Sequence, residues 1–205
     1  MSHNEWHRRS DSATAVDELL DAAGATFARL GVARAAMTDV ARAAGCSRAT
    51  LYRYFPNREA LHLGFVHRAT LRIAAEITPA SSTGDPAELT DLILNGIAAV
   101  RADPLLAVWF EPDNMAAPIA VSQNSELLQA MTAGLAQQLD VEHESTEEIA
   151  LRGAWLLRCI VSFLAMPAED DAVERAMVEA FVVPLLSPPA DPAHHPERHQ
   201  QRRRP

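Results

Sequence analysis

Residues Thr38 to Phe55, TDVARAAGCSRATLYRYF, constrain this chain more than any other stretch. Two short helices are written there with a tight turn between them. Val40, Ala43 and Ala44 give the first an apolar edge, Gly45 supplies a permissive backbone at its C-terminal end, and Ser47 is placed to cap the second. In the second, Leu51 lies one turn from both Tyr54 and Phe55, so these side chains share an inward face. At about 100° per residue, Arg53 falls nearly opposite Leu51, with Ala49 and Tyr52 beside it and Arg48 in the first turn. This is the helix-turn-helix pattern.

The outward residue types suit a major groove. Arginine pairs bidentately with guanine O6 and N7, a small Ala49 permits close approach, and the hydroxyls of Thr50, Tyr52 and Tyr54 donate to phosphate oxygens. A helix pair used only for packing has no need of three hydroxyl-bearing side chains and two arginines between Arg48 and Tyr54. Pro56 stops the helix and Asn57 caps the next, whose positive N-terminal end with Arg58 makes a phosphate anchor. The expected DNA-contacting set is Thr38, Ser47, Arg48, Ala49, Thr50, Tyr52, Arg53, Tyr54 and Arg58, with Arg53 the leading base reader and Arg48 second.

At these residues the sequence resembles the TetR family of bacterial transcriptional regulators. Phe27 and Gly31 before the motif, TLYRYF within it, and Pro56, Asn57, Arg58, Glu59, Ala60 and Leu61 after it follow the family's hallmark run. The resemblance covers residues 12 to 62, under a third of the chain. It departs at Ala36, where the family often has a capping Thr or Ser, and at Arg58, where Lys is usual; the first costs roughly 1 kcal/mol if nothing else caps the helix. The resemblance implies a homodimer joined through the last two long helices and a second domain with a ligand cavity.

The rest of the chain is expected to be all-α: an N-terminal three-helix helix-turn-helix domain and a C-terminal helical ligand-binding and dimerisation domain, about nine helices in all. No stretch alternates apolar and polar residues in the strand period. The divisions are a flexible arm over 1–10, the DNA-binding domain over 11–56, a connecting helix over 57–78, the second domain over 79–186 and a disordered tail over 187–205. A first helix from about Ser12 to Leu30 carries Val16, Leu19, Leu20, Ala23, Phe27 and Leu30 at helical spacing, and Gly31 ends it.

A net charge of −9 looks wrong for a DNA binder until it is divided. Residues 1–78 hold 10 Arg against 8 acids, net +2; residues 79–186 hold 4 against 17, net −13; the tail holds 4 against 2, net +2. The acidity belongs to the second domain, which would face away from phosphate, and the basic excess lies with the motif. Arg8 and Arg9 in the arm can add general attraction to DNA.

In the second domain the expected helices run roughly Ala87–Arg101, Pro104–Phe110, Ser122–Leu139, Thr146–Ala165 and Asp170–Leu186. Glu111 to Val121 reads as an irregular apolar loop, either lying over a cavity or simply packed. The run Ile149–Met166 is apolar nearly all round, and Val173, Met177, Ala180, Phe181 and Leu185 make a stripe on the helix that follows; together they suit a four-helix dimer interface at about 146–165 and 170–186. Candidate pocket walls are Trp109, Phe110, Met115, Leu128, Met131, Leu135, Trp155 and Cys159, with Asn95, Asn114, Arg101 and Arg158 as polar anchors.

The expectation is therefore a homodimeric repressor on a double-stranded, pseudo-palindromic DNA operator, released by a small lipophilic effector of fatty-acid, acyl-thioester or aromatic type. The alternative is a DNA-binding regulator whose second domain only dimerises or binds another protein. No catalytic set, cofactor or metal site is expected: His143 beside Glu144 and the Asp170–Asp171 pair lack a nucleophile, and His194, His195 and His199 lack ligand spacing. Cys46 and Cys159 lie apart, without CxxC spacing, and read as free thiols in a reducing compartment; Cys46 sits where the family usually has a small apolar residue. With no apolar run of membrane-spanning length and no signal-peptide core, the expected location is the cytoplasm.

Overall fold

The computed structural model describes residues 12–77, 85–137 and 145–186, and every regular element among them is helical. The arm, most of the stretch Pro79–Pro86, His143, Glu144 and the tail lie outside the described residues.

The head is built from α1 (Ser12–Leu30), α2 (Met37–Ala43) and α3 (Arg48–Tyr54). Leu19, Leu20, Ala23 and Phe27 of α1 meet Met37, Val40 and Ala41 of α2 and Leu51 of α3 in one buried cluster. Both turns rest on glycine in the left-handed region, Gly31 at φ 80° and Gly45 at φ 65°. At the second, the Gly45 N–H reaches the Arg42 carbonyl at 3.2 Å and the Cys46 N–H reaches Ala41 at 3.0 Å, the paired bonds that close a helix over such a residue. Ala36 offers no side-chain cap, yet Asp39 bends back so that its carboxylate accepts the Ala36 N–H at 3.1 Å, which offsets part of that loss.

From the head, α4 (Arg58–Ile77) runs into the second domain, with Asn57 accepting the Ala60 N–H at 2.7 Å to start it. It buries Leu61, His62, Phe65, Ala69 and Ile73. Arg68 ties it to α1 through Asp21 at 2.8 Å, and Arg72 ties it to Asp103.

The second domain begins with α5 (Pro86–Ala102), capped by Asp85. Asp103 then ends α5 and caps α6 (Pro104–Ala107), and the chain turns there by 87°. Two 3-10 turns, Val108–Phe110 and Pro112–Asn114, lead into α7 (Ala116–Asn124) and α8 (Glu126–Gln137). Ser145 caps α9 (Thr146–Ala165) with Glu148 returning the contact. The last helix comprises α10 (Asp171–Met177), a π turn over Val178–Val182 and α11 (Val183–Leu186). A Cβ on Gly153 would lie 2.5 Å from the Ala133 backbone nitrogen, so α8 and α9 approach at a distance only glycine allows.

Three expectations need correction. Glu111–Val121 is mostly helical, because Pro118 falls in the first turn of α7, where no N–H is required of it. The run read as one helix from Ser122 to Leu139 breaks at Ser125, whose hydroxyl accepts the Leu128 N–H and begins α8. The final helix is not regular: Pro184 has no N–H to give Ala180, and the turn before it widens so that Val183 donates to Val178. With that interrupted helix counted once, the described residues hold ten helices, the addition to the expected nine being α7.

Candidate DNA-binding head and effector cavity

The α3 helix starts on Ser47, whose hydroxyl accepts the Thr50 N–H at 3.1 Å and pairs with the Thr50 hydroxyl at 2.8 Å. Both are half-buried and occupied by the cap, as Thr38 is half-buried at the start of α2. Leu51 and Phe55 are buried and Tyr54 half-buried. Arg48, Ala49, Tyr52 and Arg53 are exposed and form one continuous face, since residues four apart stack on a helix. The Arg53 guanidinium lies over the Tyr54 ring, 4.9 Å from its centroid, and donates to its hydroxyl at 3.3 Å. That contact holds the arginine stem while leaving it in water, ready for a base edge or a phosphate.

Arg58 has other work. Its Nη2 donates to the carbonyls of Val32 and Ala33 at 3.0 and 2.9 Å, and its Nε faces His62 Nε2 at 3.5 Å. The residue expected to anchor phosphate thus braces α4 against the turn between α1 and α2. Asn114, expected to be a pocket anchor, grips the same turn from the second domain: its side-chain oxygen accepts the Ala33 N–H at 2.9 Å, and its nitrogen donates to Val108 at 2.7 Å.

Behind this turn an aromatic cluster crosses from head to second domain. Trp109 stacks parallel to Phe65 at 5.6 Å and meets Phe27 and His62 edge-on at 5.4 and 5.1 Å. Burial, with the Arg58 charge adding to it, pushes the His62 imidazole down to about 4, so it is neutral at physiological pH. The head's core does not stop at the expected domain boundary: Leu106, Val108, Trp109 and Val121 belong to the same buried cluster as Phe27 and Phe65.

On the far side of Trp109 lies a cavity of about 460 Å³, within the range that holds small organic ligands. Of the residues expected to line it, Trp109, Phe110, Leu128, Met131 and Leu135 do. Met115, Trp155 and Cys159 do not. Met115 precedes α7 at the domain joint, Trp155 is 45% exposed on the outer face of α9, and Cys159 packs into the second cluster instead. None of the four expected anchors lines it either: Asn95 and Arg158 are exposed, and Arg101 pairs with buried Glu174 at 2.9 Å and with the Phe163 carbonyl. What sequence reading missed is the wall given by α4, where Val66, Thr70, Ile73 and Ile77 face the cavity. Their signal was present, because they widen the Leu61–Ile73 stripe to a broad apolar arc that one packed neighbour would not require.

Cys46 and Cys159 are both free and half-buried, and burial pushes each thiol up, which disfavours the reactive thiolate. No cluster of metal-ligating residues occurs among the described residues, and no single described helix is long and apolar enough to cross a membrane.

An arginine-bearing second motif helix on a small head, joined by one long helix to a hollow helical domain, defines a helix-turn-helix transcriptional regulator. Residues 19–63 match the family model described as bacterial regulatory proteins, tetR family. Over 190 residues, covering 92% of this chain and 93% of the relative, the sequence is 38% identical to an uncharacterized HTH-type transcriptional regulator of Mycobacterium tuberculosis. The chain belongs to the TetR family. Its fold is similar to that of QsdR, a TetR-family repressor of R. erythropolis (TM-score 0.61, 20% identity, 90% of this chain and 100% of the other), and of AlkX, a TetR-family repressor of Dietzia (0.58, 22%, 87% and 96%). It also resembles FadR of Bacillus subtilis, solved in complex with stearoyl-CoA (0.52, 16%, 83% and 96%). As a TetR regulator the protein binds DNA and dimerises.

Proposed function

We propose that this regulator is a repressor whose DNA affinity is lowered by a lipophilic molecule bound in the second domain. The observation that carries this reading is the shared wall: α4 and Trp109 line the cavity on one side and pack on Phe27 of the head on the other. A guest that moves either would tilt the head. To release DNA it must bind the DNA-incompetent arrangement better, since equal affinity for both would shift nothing. The apolar walls favour a lipophilic guest, and the similarly folded FadR, solved in complex with stearoyl-CoA, supports that reading.

The dimer is assigned to the last two long helices. Leu151 and Trp155 of α9 and Met177, Phe181 and Leu185 of the last helix are all exposed by 41% or more, a row of large apolar side chains on the outer face. A second copy covering it would set two heads on a two-fold axis, to read major grooves about 34 Å apart or a multiple of that. Within each head, Arg48, Ala49, Tyr52 and Arg53 make the assigned groove face.

A mobility shift with the protein's own promoter region tests the reading. Binding should fall steeply with salt, since phosphate contacts release counterions. Release by lipophilic compounds and indifference to short polar metabolites is the expected ranking. The reverse ranking would remove the lipophilic assignment and leave the regulator.

A further inference from the structure

Inside a helix glycine is less favourable than alanine, because it loses more backbone freedom on folding, so a glycine there calls for a reason. Five glycines lie inside the described helices, and three of them have that reason in packing. A Cβ on Gly24 would lie 2.8 Å from the Phe65 ring, one on Gly64 2.8 Å from the Phe55 ring, and one on Gly153 against the α8 backbone. Gly96 and Gly134 have no such reason. A Cβ on Gly96 would make only an ordinary contact, 3.5 Å from Ile77 Cδ1, and one on Gly134 would meet nothing within 4 Å. Of the five, these two are the ones that line the cavity. On α5 the wall residues are Leu92, Ile93, Gly96 and Val100, so Gly96 stands in the middle of that wall, one turn from each of the others. On α8 the wall is centred on Leu128, Thr132 and Leu135, and Gly134 lies at its edge and is exposed.

We propose that Gly96 and Gly134 are specificity-determining positions for the effector: the side chains they omit leave room that a long guest occupies, Gly96 in the middle of the wall and Gly134 at its rim. The proposal rests on the effector reading above and says which part of the cavity measures the guest. A guest lying against Gly96 also reaches Ile77, the last residue of α4, so its size is read beside the helix that leads to the head. Alanine at either site would favour the empty protein and crowd the filled one, a gain in stability that the two glycines forgo.

The test titrates methyl hexanoate and methyl decanoate into the full-length protein by calorimetry, uncharged probes suiting a cavity that no charged side chain among the described residues lines. With four more methylene groups, methyl decanoate should bind the wild type at least about tenfold tighter than methyl hexanoate. In Gly96→Leu that ratio should fall by about fivefold or more, because the added side chain takes the space the longer chain would fill, while the affinity for methyl hexanoate changes by less than about threefold. Gly134→Leu, where nothing crowds the new side chain, should shift the ratio the same way, and it carries the test if Gly96→Leu folds poorly. Gly96→Ala and Gly134→Ala should each raise the melting temperature of the ligand-free protein by about 2–4 °C, whereas Gly153→Ala, at a glycine kept for close packing, should lower it. An unchanged ratio in both leucine variants, or an equal loss on both esters, would overturn the proposal and leave the effector reading in place, as would a melting temperature lowered by both cavity alanines. If the wild type binds neither ester, the effector reading itself fails, and this proposal with it.

Discussion

The two ends of the molecule solve opposite problems with the same helices. In the head, α2 and α3 are each seven residues long, too short to be stable alone, and they hold their shape because Leu19, Phe27, Val40 and Leu51 are 1% exposed or less. Its outward face is polar and carries the arginines. The second domain encloses a hollow, and its outer face carries Leu151, Trp155, Phe181 and Leu185 in the open. Closed packing suits a part that presents fixed side chains to a groove, and the hollow and the exposed apolar row suit the guest and the second copy proposed above. Trp109 belongs to both, and it is the link on which the proposed coupling rests.

The sharpest way to break this contrast is to remove equivalent bulk from each region. Leu19→Ala in the closed core should cost towards the upper end of the roughly 2–5 kcal/mol range for such changes, whereas Leu135→Ala, which enlarges a hollow already present beside a half-buried side chain, should fall at or below its low end. Urea denaturation of both variants checks it, and equal costs would argue that the cavity is a packed region.

Acid comes next in size and acts at the joint between the regions. Unfolded His62 takes a proton below its ordinary 6.5, but the folded imidazole only below about 4. Between those values the unfolded state holds more protons, so stability should fall as pH drops from 6.5 to 4, by up to ~3 kcal/mol at roughly 1.4 kcal/mol per unit. Denaturation midpoints across that window should fall more steeply in the wild type than in His62→Phe, the slope left in the variant including His67, whose imidazole burial also pushes down.

Arg53→Ala addresses the head alone: it should cost ~1–3 kcal/mol on the preferred site and relax specificity there. Equal loss on random DNA would make Arg53 a phosphate contact. The smallest effect on the fold is expected at Phe181, which is 68% exposed. Phe181→Ser should change monomer stability by less than about 0.5 kcal/mol yet shift the sedimentation velocity profile from dimer towards monomer.

The head was legible in the sequence because its signals are local. Gly45 and Ser47 bracket the turn, and the spacing of Leu51 and Phe55 alone separates the face of α3 that packs from the face carrying Arg48 and Arg53. The second domain was less legible because its decisive contacts are distant in sequence. Residues Ile149–Met166 are apolar on every side, so spacing does not distinguish Leu157 and Val161, which line the cavity, from Leu151 and Trp155, which face out. Arg58 and Asn114 were recognised as polar groups of interest, but their partners at Val32 and Ala33 lie 25 or more residues away, beyond any periodicity. The two prolines misled in opposite directions: Pro118 lies in a stretch read as a loop yet sits in the first turn of α7, whereas the last helix was read as regular through Pro184, where a widened turn absorbs the missing N–H.

The most direct test of the coupling through Trp109 is a single titration with two readouts. A fluorescently labelled promoter fragment is bound to ¹⁵N-tryptophan protein, methyl decanoate is added, and DNA anisotropy and the Trp109 indole resonance are followed together. The account predicts that anisotropy falls to the free-DNA value over the same concentration range in which the indole resonance shifts. An indole resonance that shifts to completion while the DNA stays bound would contradict it, for the cavity would then be occupied without being heard by the head.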